Sequence, residues 1–157
     1  MSNCSSGTYN SPYGKVHLLF PGPFRDPPYD NVRVYAQTAT RHVMLQGPAL
    51  QAFKDAEDLY WDRLTARQKR KAGSKHILLT GVGYRSFTLQ RALYESDPPG
   101  SHSRYADPDC SNHVEALAVD LDTGQHDFDK KKAALKAKGF NFTVSGEVWH
   151  GAFRVEG

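Results

Sequence analysis

Apolar residues recur along this chain with two periods, and the change from one to the other predicts where strands give way to helices. Val32 and Val34, then Val43 and Leu45, recur two apart and read as extended segments ahead of Gly47-Pro48. From Leu50 the period lengthens: Phe53, Ala56, Tyr60 and Leu64 follow at helical spacing, so a helix is expected over 48–72 with Pro48 in its first turn. His76-Ile77-Leu78-Leu79-Thr80 reads as a buried strand, and Gly81-Val82-Gly83-Tyr84-Arg85-Ser86 as the turn that leaves it. A short helix over 86–95 would have Phe87, Leu89 and Leu93 as its apolar members. Another is expected over 128–138, capped by Asp127 and stopped by Gly139. Its lysines Lys130, Lys131, Lys132, Lys136 and Lys138 read as a solvated face, and Phe140, Phe142 and Val144 alternate as a strand after it.

Between these lies a strand ending at Leu121, with Leu117, Val119 and Leu121 on one face and Ala116, Ala118 and Asp120 on the other. Residues 1–30 are rich in Ser, Gly, Pro, Tyr and Asn and read as an extended arm with one short strand over 16–20. Residues 97–110 form a polar loop that is long for a compact domain. No internal repeat is visible. The expected architecture is α+β: a small antiparallel sheet carrying the candidate site, with helices packed on one side. Residues 1–40 would be an arm of the same domain, and 41–157 the domain that carries the chemistry.

Composition adds limits. At 157 residues the chain is long enough for one real core. A net charge of +3 is too small to demand a nucleic-acid partner. The basic stretch 63–75 reads first as a solvated helix end, where cations suit the helix dipole, and alternatively as a contact for an anionic polymer. No apolar run reaches the roughly eighteen residues of a membrane span. The first residues show neither the basic nor the apolar region of a secretory signal, so Cys4 and Cys110 are expected reduced and unpaired.

The chemistry is concentrated near the end of the chain, in Ser111-Asn-His113-Val-Glu-Ala-Leu-Ala-Val-Asp120 and Gly146-Glu147-Val-Trp149-His150. Two imidazoles and one carboxylate are a normal set for a catalytic zinc that keeps a fourth position for water. That makes His113, Asp120 and His150 the candidate ligands. Glu147 stands where a general base for that water belongs, which points to a zinc peptidase. His113 and Asp120 have opposite parity on a straight strand, so the chain must turn or bulge near 114–116 for both to hold one ion. Glu147 and His150 raise the same difficulty, and Gly146 and Gly151 beside them would permit the twist. Trp149 reads as a packing residue, His102 as a lining residue of the long loop, and Cys110 as a minor alternative ligand beside His113.

These motifs resemble those of the zinc D-alanyl-D-alanine carboxypeptidases and L-alanyl-D-glutamate endopeptidases. That family includes vancomycin-resistance dipeptidases, phage endolysins and the hedgehog-type fold. Its Ser-x-His-x-x-Gly-x-Ala-x-Asp signature is matched by Ser111, His113, Ala118 and Asp120, with Ala116 standing where the family has Gly. Its Glu-x-Trp-His is matched by Glu147, Trp149 and His150, and its Gly-Tyr-Arg-Ser by residues 83–86, with Gln90 following. Residues 1–40 have no counterpart in the resemblance.

The resemblance implies one catalytic Zn²⁺ on His113, Asp120 and His150, with Glu147 as base and Arg85 beside the developing oxyanion. Gln90, Ser111, Tyr84 and Trp149 would serve the substrate. The substrate would be a peptidoglycan stem peptide, cut at an L-Ala-D-Glu or D-Ala-D-Ala type bond, with no nucleic acid and no membrane span involved. Without a visible signal, the expectation is a phage-type lytic enzyme held in the host cytoplasm until holin release, or carried in the virion. The competing expectation is a non-catalytic virion or wall-binding module that retains the zinc fold.

Overall fold

Pro48 opens the first helix where the apolar period changes. This helix, α1 (Gly47–Asp62), has its proline in the first turn, where a missing N–H leaves no bond unmade. It buries Ala49, Leu50, Phe53, Ala56 and Tyr60 in the core. The computed structural model describes residues 6–19, 32–85, 87–96, 113 and 115–153. In it, helix does not run unbroken to residue 72: α1 stops at Asp62, and Thr65 starts a separate α2 (Ala66–Ala72). The break is held by a capping box. Thr65 Oγ1 accepts from Gln68 N at 3.1 Å, and Gln68 Oε1 accepts from Thr65 N at 2.8 Å. Each side chain satisfies a backbone N–H at a helix start that would otherwise lack a partner.

The remaining order is β1 (Ser6–Ser11), β2 (Gly14–Leu19), β3 (Val32–Ala36) and β4 (His42–Gln46) before α1. After α2 come α3 (Phe87–Glu95), β5 (Ala118–Asp120), α4 (Phe128–Ala137), β6 (Phe140–Asn141) and β7 (His150–Phe153). β1 with β2 and β3 with β4 form antiparallel hairpins, and β5-β7-β6 is an antiparallel sheet with β7 in the middle. α1 packs against α4 and against β2, β3 and β4. The fold is α+β, as expected. No helix among the described residues is long and apolar enough to cross a membrane.

β1 was not foreseen, because Ser, Gly and Asn carry little strand signal; its register with β2 supplies the bonds instead. The hairpin is tied down at a distance, with Val16 fully buried and Tyr9 OH donating to Phe153 O at 2.8 Å.

Residues 76–80 depart from the strand expectation. They run past the core with one bridge, Leu79 to Leu121, and otherwise use side-chain partners. Leu78 N donates to Gln125 Oε1, and Ile77 N donates to Glu57 Oε2 at 2.9 Å. Glu57 is fully buried on α1 and also accepts from Tyr35 OH and Gln37 Nε2. Burial and this carboxylate raise the Tyr35 hydroxyl well above its ordinary pKa. Glu57→Ala would leave the buried Ile77 N–H and the part-buried Tyr35 and Gln37 donors without this acceptor and should cost about 3 kcal/mol in urea unfolding. A loss below about 1 kcal/mol would mean that water had taken over the network.

Four smaller expectations are corrected, wholly or in part. Lys131 is buried rather than solvated, with Nζ 3.2 Å from Gln125 Oε1 and 5.4 Å from the Tyr60 ring centroid. Leu89 is exposed, and it is Gln90 of α3 that is buried. The strand expected through Val144 ends at Asn141. Asp127 does precede α4, but its carboxylate accepts from Tyr60 OH at 2.7 Å and makes no cap bond.

Candidate metal centre

Asp120 and His150 face each other directly in the β5–β7 ladder. Directly opposed residues put their side chains on the same face, and His150 Nδ1 lies 3.0 Å from Asp120 Oδ1. Register alone therefore unites two residues thirty positions apart in sequence.

His113 joins them because the chain makes the turn that its parity demands. Ala116 N donates to His113 O at 3.1 Å, and Ala116 takes a left-handed φ of +58°. That conformation costs an L-residue roughly 1–2 kcal/mol. Burial of the methyl group offsets about 0.8 kcal/mol of it. Gln46, buried at the end of β4, clamps the turn from outside: its N donates to Ala116 O and its Nε2 to Glu115 O. The alanine found where the resemblance expects glycine thus still adopts a glycine-like backbone.

Glu147 and His150 are reconciled in a similar way. Gly146 has φ +79°, Glu147 N donates to Val144 O, and His150 N donates to Glu147 O. Glu147 sits in consecutive turns, and the strand begins only at His150. Its carboxylate is half-buried and has no hydrogen bond or ion pair among the described residues.

Gly83 orients His113. His113 Nδ1 is 2.8 Å from Gly83 O, and a carbonyl can only accept, so Nδ1 carries the proton. This turns Nε2 inward, 3.2 Å from Asp120 Oδ2. Gly83 is itself pinned beside β4, where Met44 N donates to Val82 O and Tyr84 N to Met44 O. A Cβ there would lie 3.1 Å from Leu45 Cδ2 and 3.1 Å from Met44 O, on a backbone at φ +96°. Gly83→Ala should therefore cost about 2 kcal/mol in thermal unfolding. By shifting the carbonyl it should also weaken metal binding about tenfold or more. Unchanged zinc affinity in a titration would remove Gly83 from this role.

Arg85 closes the group. Its Nη1 donates to the buried Gln90 Oε1 at 2.7 Å, its Nη2 lies 3.8 Å from Asp120 Oδ2, and its backbone N donates to His113 O. Burial would raise the Asp120 carboxyl, but its contacts with the His113 and His150 imidazoles outweigh that and hold the group well below the usual carboxylate range. Asp120 is thus an anion at neutral pH.

The donor set suits a zinc ion. One ligand atom from each of His113, Asp120 and His150 lies within 4.8 Å of the others. The two imidazoles reach different oxygens of the Asp120 carboxylate, His150 Nδ1 to Oδ1 at 3.0 Å and His113 Nε2 to Oδ2 at 3.2 Å.

Two solved structures are similar in outline over 98% of this chain, each at 18% sequence identity. One is the LdcB LD-carboxypeptidase, described for its peptidoglycan recognition, at TM-score 0.48 over 83% of that chain. The other is DacB from Streptococcus pneumoniae D39, at TM-score 0.49 over 84% of that chain. No protein-family model matches the chain, and no curated protein does.

Of the remaining candidates, Tyr84 is buried behind the site, and Trp149 is half-buried against the core with its O accepting from Leu121 N. Ser111, His102, Cys110 and Cys4 lie outside the described residues. Gly83 as a carbonyl acceptor and Gln46 as a clamp were not legible as site residues. Two glycines one residue apart after an apolar run, Gly81 and Gly83, were the available signal of close backbone approach.

Proposed function

We propose that this chain is a zinc peptidase of peptidoglycan stem peptides, cutting an L-Ala-D-Glu or D-Ala-D-Ala type bond. The observation that carries the reading is the convergence of His113 Nε2, Asp120 and His150 Nδ1 beside a positioned Arg85. The family resemblance of the same motifs supports the choice of substrate.

His113, Asp120 and His150 would hold the ion: two neutral imidazoles offer lone pairs and one carboxylate offsets charge. Zinc, when bound, polarises a carbonyl and brings the pKa of its water near 7. Glu147 would hold the proton that hydrolysis releases from the attacking water and would pass it to the departing amine. Its lack of a competing partner among the described residues suits a group that must gain and lose a proton. Arg85 presents a guanidinium whose direction Gln90 sets, so the charge is in place before the oxyanion or a substrate carboxylate arrives.

The test is digestion of purified peptidoglycan by zinc-loaded protein, read by mass spectrometry of the fragments. A new free amine on D-Glu, or loss of terminal D-Ala, would establish the activity and identify the bond. No cleavage of several stem-peptide types with one zinc bound would favour the non-catalytic wall-binding module.

A further inference from the structure

Positive charge in this chain is gathered in one place. Residues 62–75 hold Arg63, Arg67, Lys69, Arg70, Lys71 and Lys75 against one acid, Asp62, a local net of +5. The whole chain carries +3, which leaves −2 for everything else. Core packing does not account for these cations, because α2 buries none of its residues and the buried member of the segment is Leu64. The helix is nonetheless well built, with the Thr65–Gln68 capping box at one end and Gly73 at φ +78° at the other.

The charges are not spent internally. Lys75 pairs with Asp58 at 2.7 Å, and Lys69 Nζ stands 5.8 Å from the Trp61 ring centroid. Among the described residues no carboxylate pairs with Arg63, Arg67, Arg70 or Lys71. Arg67, Arg70 and Lys71 follow at i, i+3 and i+4, so they share one face of α2 and repel one another by about 0.2–0.5 kcal/mol per pair. One or two cations would satisfy the helix dipole. The surplus costs folding energy and presents a row of guanidinium forks to solvent, the geometry that favours phosphate.

We propose that α2 and Arg63 form a docking surface for a phosphodiester polymer of the cell wall, which keeps the enzyme on the layer that holds its substrate. The proposal rests on the peptidase reading above for the choice of polymer. Four unpaired cations, each neutralising one phosphate of a flexible strand, predict about a 50-fold loss of affinity for a fourfold rise in salt.

The experiment is co-sedimentation of Glu147→Ala protein with purified walls, before and after hydrofluoric acid removes their phosphodiester polymer. It is repeated across salt with Arg67→Gln/Arg70→Gln/Lys71→Gln in the same background. The expected result is retention on intact walls, loss on stripped walls, and a salt dependence reduced to about threefold in the triple variant. Lys130→Gln/Lys136→Gln on α4, also exposed, should bind as the parent does. Equal retention on stripped walls, or by the triple variant, would overturn the proposal. So would retention on duplex DNA without preference for phosphate-bearing walls, which would reassign the surface to nucleic acid. Turnover of a small soluble stem peptide, unchanged by the triple substitution when Glu147 is intact, separates this question from the peptidase reading. Absent turnover with intact wall retention would sink only that reading.

Discussion

Glu147→Ala should leave zinc content at the parent level and lower kcat about a thousand-fold, or about 4 kcal/mol in the barrier. The separation of the two effects follows from placement. Glu147 is outside the group of converging ligand atoms, on a turn whose backbone contacts are Val144 O and His150 N. Truncating its side chain removes a proton acceptor and disturbs no ligand. Metal analysis by mass spectrometry and turnover of a soluble stem peptide should be read on the same preparation. Parent-rate hydrolysis by the variant would mean that another group takes the proton.

His113→Ala should have the opposite signature, losing metal first and activity as a consequence. The substitution deletes a candidate ligand, and it removes the imidazole that stands 2.8 Å from Gly83 O and 3.2 Å from Asp120 Oδ2. Loss of a group that merely orients a ligand costs about 10- to 100-fold in affinity, so loss of the ligand itself should exceed 100-fold. Zinc should then be absent after dialysis against a buffered chelator that leaves the parent loaded. Equal zinc in the variant would take His113 out of the ligand set, and the reading of this site with it.

Much of this site was legible because its demands are local and chemical. Two imidazoles and a carboxylate specify a donor set wherever they meet, and their parity on a strand already required a turn near Ala116, where φ is +58°. What stayed hidden depends on partners far away in sequence. The break before α2 lay within a run of good helix formers, and only Thr65 with Gln68 three positions later betrayed it. The segment 76–80 has strand composition but takes its bonds from Glu57 and Gln125. Lys131 looked like its solvated neighbours until Tyr60 and Gln125 enclosed it. Gly83 reads as a turn residue, yet its carbonyl decides which nitrogen of His113 faces Asp120. Periodicity records what a residue's own element prefers; it holds no record of what another element brings to it.

The hydrogen bond from Tyr9 to Phe153 spans 144 positions, and this has a bearing on the order of events during synthesis. Contacts so distant close late, because most of the chain must exist before the loop between them can shut. β7 supplies His150 and forms the middle strand of its sheet, so Asp120 has no ladder partner until that strand has emerged. The N-terminal hairpin, though made early, finds Phe153 only after that. The candidate metal group can therefore come together only once the chain through residue 150 has left the ribosome. Chains interrupted before residue 150 would lack one of the three residues of the candidate metal group.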